Sequence, residues 1–321
     1  MQLLPLAVLF ATALPPAPGR LPARVIPFAL HQGSIWLAVK VNGSQTLRFE
    51  LDSGSSVDVI DRQRALALGL PIEERGYAWN AGVGDGMTRL GSVRRVALDI
   101  AGLPVQAERV EVLDLSAIAR GKGRAMDGMV GATLFDRFVV AIDYAGQTLS
   151  LWEPDNFVYE GAGESLPLRP LAGTLRLWTV RAELVIGLGE PIEGEFIIDT
   201  PVALPAVVSS GFARDNQLLS ALRLTGAGTS ELVGVGGTSR AWLGKVDELR
   251  LGSLSLPTPA VALANAPRGV LAGHRVAGVI GGGALSHFRV IVDCPHRRLI
   301  LEPRPVRAAP VENAVGRAVV P

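Results

Sequence analysis

The feature that most constrains this chain is an internal duplication. Gly278-Val279-Ile280-Gly281-Gly282-Gly283-Ala284-Leu285 and the strands after it, through Glu302, follow the plan of Gly128 to Glu153 with almost no register change. Gly281 lies 281 − 131 = 150 positions after Gly131, and Asp293 lies 293 − 143 = 150 after Asp143. Further upstream, Phe49-Glu50-Leu51-Asp52-Ser53-Gly54-Ser55-Ser56 brings a strand to an aspartate and a hydroxyl-bearing turn, and Glu195-Phe196-Ile197-Ile198-Asp199-Thr200-Pro201-Val202 does so again. These aspartates are 199 − 52 = 147 apart, so only a few residues of insertion separate the copies. Such spacing implies two units of one plan, and 321 residues are enough for each to bury its own core.

Both units read as β. In the first, 25–30, 34–41 and 46–51 are strands, joined at His31-Gln32-Gly33 and at Asn42-Gly43-Ser44, whose Asn-Gly pair favours a tight hairpin. Residues 57–60 are strand-like, Asp61 caps a short helix over 62–68, and Gly69 ends it. A glycine-rich hairpin follows at Ala81-Gly82-Val83-Gly84-Asp85-Gly86-Met87, then strands over 93–100 and 105–112 and a closing hairpin over 138–144 and 148–152. The plan restarts with strands over 175–186 and 195–199, a helix over 209–219, and Gly234-Val235-Gly236-Gly237-Thr238 in place of the glycine-rich hairpin. The 37 glycines, 22 prolines and 5% aromatic content suit many short strands and frequent turns. The expected fold is all-β and bilobal, two pseudo-symmetric β-barrel-like lobes with short helices. Its divisions are a signal peptide at 1–19, an N-terminal lobe over 20–155, a linker over 156–173, a C-terminal lobe over 174–303 and a loose tail over 304–321.

Charge excludes some partners. With 31 basic and 30 acidic residues in no blocks, the chain has no nucleic-acid or membrane-surface signature. Met1 to Ala13 is a short apolar run ending in Ala-Thr-Ala, the pattern of a signal peptide, although no Lys or Arg precedes it. Export to the periplasm or medium is expected, as a monomer, with an uncleaved N-terminal anchor as the alternative to cleavage. Cys294 is the single cysteine, so the fold must hold without an internal disulfide.

The duplicated aspartates carry the chemistry. Two β units facing each other across a pseudo-two-fold axis would bring Asp52 and Asp199 into one cleft. Like charges that close do not both ionise readily and come to share a proton. The ionised member then takes a proton from a water while the protonated member donates to the carbonyl under attack. His31, His274, His287 and His296 are scattered without metal-ligand spacing, and no Gly-x-Ser-x-Gly elbow occurs, so neither a metal site nor a serine hydrolase is expected. Gly82-Val83-Gly84-Asp85-Gly86-Met87 misses the dinucleotide fingerprint at its third glycine. Asp143 and Asp293 end strands before turns and read as structural.

With these residues in view, the sequence resembles the retropepsin-like and pepsin-like aspartic peptidases. It is similar in particular to the bacterial exported aspartyl protease type, in which two retropepsin-like units are fused. The resemblance runs from Val25 to Glu302. It rests on Asp52-Ser53-Gly54-Ser55 behind an apolar strand, on the glycine-rich hairpin around Gly84, and on Met129-Val130-Gly131 repeated at Val279-Ile280-Gly281. It implies an acid-protease fold and an aspartic endopeptidase acting on unfolded or extended peptide, with no cofactor and no metal. It assigns Asp52 and Asp199 to the dyad and Ser53 and Thr200 to a reciprocal hydroxyl-to-backbone lock. The Gly54 N–H and the Ser55 hydroxyl would hold the Asp52 carboxylate, and Gly84, Asp85, Gly86 and Gly236 would sit on flap-like hairpins over the substrate.

The second copy departs from the first at its turn. Pro201 stands where glycine is expected and has no backbone N–H, and Val202 stands where the first copy has Ser55. Asp199 therefore lacks two donors available to Asp52. The rival reading is a catalytically impaired relative that binds extended peptide or serves a structural role. In a third reading, first halves pair between chains and the second half is a scaffold.

Overall fold

The computed structural model describes residues 21–79, 82–84, 86–173, 177–225, 230–304 and 317–319. The signal-peptide assignment at 1–19, most of the tail and Asp85 lie outside these. No helix among the described residues is long and apolar enough to cross a membrane.

The chain is built mostly of strands with a few short helices, as expected. In the first half, strand Leu47–Leu51 lies between Ser34–Val41, its antiparallel partner, and Gly128–Val130, its parallel partner. Phe49 and Leu51 on it are fully buried, which is why the run reads as apolar. Gly128–Val130 also pairs antiparallel with Asp58–Asp61, which in turn runs parallel to Leu103–Leu113. The second half repeats each step. Ile192–Asp199 runs parallel to Gly278–Gly281, which pairs antiparallel with Ala206–Val208, which runs parallel to Ala260–Asn265. Gly131 and Gly281 thus occupy matching places, each just behind an aspartate turn. A Cβ on Gly131 would lie 2.0 Å from the Asp52 carbonyl oxygen, and one on Gly281 would lie 2.1 Å from that of Leu204. Only glycine lets the supporting strand approach so closely.

The short helices form where the capping residues stand. Asp61 accepts a hydrogen bond from the Arg64 N–H at 3.1 Å and starts helix Arg62–Ala67, and Gly69 beyond its end takes φ +64°. Ser209 caps Ser210–Asp215 in the equivalent place. Asp143 and Asp293 accept from backbone N–H groups of the turns that follow them, as structural turn residues do.

A six-stranded sheet joins the halves, three strands from each. At its centre Val139–Asp143 pairs antiparallel with Phe288–Asp293 in the register Val140↔Val292, Ala141↔Ile291 and Ile142↔Val290. Since 141 + 150 = 291, Ala141 lies opposite its own duplicate, and the pseudo-two-fold axis passes between them.

Two segments carry more structure than expected. Within the stretch expected as linker, Glu164–Pro167 pairs with Arg298–Pro303 just as Arg24–Pro27 pairs with Thr148–Trp152, so it is the second half's copy of the first edge strand. Its four residues end in proline, which an edge position tolerates and a sequence reading takes for a loop. Within the tail, Arg317–Val319 runs parallel to Ser230–Gly234.

Candidate active site

Asp52 and Asp199 are each delivered by a buried strand whose next residues must turn. Asp52 is fully buried and Asp199 is 4% exposed. The two carboxylates flank Gly54. Its N–H donates to Asp52 Oδ1 at 2.9 Å, and a Cβ placed on it would sit 2.6 Å from Asp199 Cγ. Asp52 Oδ2 and Asp199 Oδ1 are buried and have no hydrogen-bond partner among the described residues. Burial is the main cause that raises both carboxyls. Asp52 is pushed up to about 7, with Glu50 raising it further and the Gly54 N–H, Lys122 and the Ser55 N–H opposing. Asp199 is raised well above its ordinary range by burial and then by Asp52 itself.

The turns lock to each other through Ser53 and Thr200. The Ser53 N–H donates to Thr200 Oγ1 at 3.2 Å and the Thr200 N–H donates to Ser53 Oγ at 3.1 Å. Each hydroxyl then donates to the opposite strand, Thr200 to the Leu51 carbonyl at 2.8 Å and Ser53 to the Ile198 carbonyl at 2.9 Å. Four hydrogen bonds thus hold the two aspartate turns in one relative position.

The turns differ where the sequence differs. Asp52 has the Gly54 donor; at Asp199 Pro201 offers none, and the Val202 N–H instead donates to the Asp199 backbone carbonyl at 3.3 Å. The side chain of Ser55 corrects one expectation. Its hydroxyl donates to the Val57 carbonyl at 2.8 Å and does not hold Asp52; only its backbone N–H acts on that carboxylate. The Val57 N–H returns a bond to the same hydroxyl, closing a local turn that satisfies it.

Gly84, Gly86 and Gly236 form a second group. The Gly86 N–H donates to the Gly236 carbonyl at 2.8 Å and the Gly236 N–H to the Val83 carbonyl at 3.0 Å, so the two hairpins meet tip to tip. Gly84 takes φ +108°, and a Cβ there would fall 2.2 Å from the Gly236 backbone. Val83 is buried in the apolar cluster that contains Ile197 and Val202, which ties the first hairpin to the second aspartate strand.

Three residues beside the paired aspartates, Ser34, Glu50 and Lys122, went unnoticed in the sequence. Lys122, at the end of helix Ser116–Gly121, is 3% exposed and donates to Glu50 Oε1, to Ser34 Oγ at 2.6 Å and to the Pro201 carbonyl at 3.1 Å. Glu50 is fully buried two positions before Asp52. The available signal was the repeat itself, since Glu50 + 147 falls on Ile197 and an acid replaces an aliphatic residue on a core strand.

Comparison with known proteins bears on the family and the fold. Residues 37–134, the stretch from the first core strand through Leu134, match the aspartyl protease family model. The aspartic proteinase from Irpex lacteus superposes with a TM-score of 0.55 over 89% of this chain and 98% of that one, at 12% identity. At that identity the likeness is one of fold, and the fold is the bilobal pepsin-like one. No curated protein matches the sequence. Family model and fold together support an aspartic peptidase.

Proposed function

We propose that the protein is an aspartic endopeptidase that hydrolyses unfolded or extended peptide through Asp52, Asp199 and a water between them. The observation that carries this is the meeting of two buried, partnerless carboxylate oxygens, one from each copy, in a site that favours a shared proton. One carboxylate takes a proton from the water as its oxygen attacks the scissile carbon. The other carboxyl gives its proton to the carbonyl oxygen, and collapse of the tetrahedral diol passes a proton to the leaving amine. The paired hairpins serve as two flaps that part for the substrate and close on it. A monomeric state belongs to the same reading, because one chain supplies both aspartates, and export belongs to it on the apolar N-terminal run Met1 to Ala13.

Because both carboxyls are raised, the site keeps a proton up to neutral pH, and purified protein should cleave a denatured polypeptide at acidic to neutral pH. A peptide mimic with a secondary hydroxyl in place of the scissile carbonyl should block it, and absence of cleavage across that range would rule the reading out. One observation favours a second reading, a peptide-binding protein without turnover: Asp199 has no donor from its own turn. That protein would bind the mimic and cleave nothing.

The flap assignment has its own test. Gly84→Ala forces a methyl onto the Gly236 backbone at a φ that side chains disfavour. KM for an extended peptide should rise several-fold with little change in Tm. Unchanged KM would mean that these hairpins do not hold substrate.

A further inference from the structure

The second aspartate turn gives the Asp199 carboxylate no donor, yet its proline carbonyl is held from the other lobe. Lys122 and Ser34 both donate to the Pro201 oxygen, at 3.1 and 3.3 Å, and Lys122 is itself fixed by Glu50. Helix Ser116–Gly121 is seated by Ile118, which shares an apolar cluster with Trp36 and Met129, the residues flanking Glu50 in the sheet. An ammonium so enclosed has lost most of its hydration, and a cation in that position acts strongly on nearby carboxylates.

Resting on the peptidase reading, we infer that Lys122 is a positioning residue for Asp199: anchored on Glu50 and Ser34, it grips the Pro201 carbonyl and supplies from the first lobe the positive support that Pro201, which has no N–H, does not give. The ion pair is oriented to do this. After burial and Asp52, Lys122 is the next influence on Asp199 and outweighs Glu50 there, whereas at Asp52 Glu50 outweighs Lys122. The pair thus treats the two aspartates unequally, favouring charge on Asp199 and opposing it on Asp52. The other charged or titratable groups nearby are His31, paired with Ser34 in its hairpin, Arg124 over the Trp36 ring, and Glu231 on the strand beside the helix. None of the three is among the main influences on either aspartate.

The test is carbon-13 carboxyl titration of Asp52 and Asp199 in the full chain, which needs no turnover, alongside the pH–rate profile. Lys122→Met should move the lower apparent pKa of the dyad up by about one pH unit, and Glu50→Gln should move it down by a similar amount. Lys122→Arg should restore most of the wild-type position. A purely structural role predicts lower stability with no opposed displacement. If Lys122→Met does not fold, the downward displacement in Glu50→Gln still decides. Titrations unmoved, or moved in one direction by both variants, overturn the inference. Opposed displacements in a protein that cleaves no polypeptide would sustain the role of Lys122 and refute the peptidase reading.

Discussion

Asp52→Asn is expected to abolish cleavage and, at the same time, to make the protein harder to melt at neutral pH. On the proposed mechanism, loss of this proton-exchanging group should lower turnover by roughly three orders of magnitude or more. The stability effect follows from burial. The Asp52 carboxyl is raised to about 7 in the folded protein, against about 4 unfolded. The native state therefore binds this proton more tightly than the unfolded chain does. Stability from that preference is complete below about pH 4 and is lost as pH rises toward 7. Asparagine keeps the shape and the acceptor for the Gly54 N–H while removing the charge. At about 1.4 kcal/mol per pH unit the gain at pH 7 is on the order of a few kcal/mol, or several degrees in Tm, and it should vanish near pH 4. Scanning calorimetry of both proteins at the two pH values checks it. Equal Tm values at pH 7 would mean that the carboxyl is not buried as the fold places it.

Thr200→Val should be the most damaging small change in the molecule. Threonine and valine have nearly the same shape, so the loss is confined to one hydroxyl that is fully buried. That hydroxyl donates to the Leu51 carbonyl and accepts from the Ser53 N–H, and valine leaves both groups unsatisfied. At roughly 1–3 kcal/mol for each of the two orphaned groups the cost is about 2–6 kcal/mol. Turnover should fall as well, because the two aspartate turns lose half of their mutual bonds. Thr200→Ser keeps the hydroxyl and gives up one methyl, about 1 kcal/mol. Urea midpoints that place valine and serine together would show that the lock does not bind the lobes.

The lock was legible because it is written in contiguous residues. Each hydroxyl follows its aspartate, and the duplication says that the two turns must meet. The same logic predicted that Gly131 and Gly281 occupy matching places, and the runs of apolar residues marked the core strands. What escaped notice lies in pieces far apart along the chain. Ser34, Glu50 and Lys122 meet only after the hairpins have formed and helix Ser116–Gly121 has settled on them, and no local spacing announces such a cluster. Ser55 misled for the opposite reason. Its position in the motif suggested a bond to Asp52, but a nearer acceptor, the Val57 carbonyl, was free in the same turn. The strand Glu164–Pro167 was hidden by its length and by its terminal proline, since an edge strand of four residues has no periodicity to read.

The pairing of Ala141 with Ile291 has a consequence for the history of the molecule. A strand that lies antiparallel to its own copy, residue opposite duplicate, has the geometry of an isologous contact between two identical subunits. The centre of this chain therefore has the form of a two-fold dimer interface held within one polypeptide. Identical subunits must carry every substitution twice and symmetrically. Joined end to end they are released from that constraint, and each half can change alone. Glu50 opposite Ile197 and Gly54 opposite Pro201 are differences that no symmetric pair could hold. Both lie within two residues of an aspartate, so the freedom that a single chain allows is expressed at the site where the two halves meet.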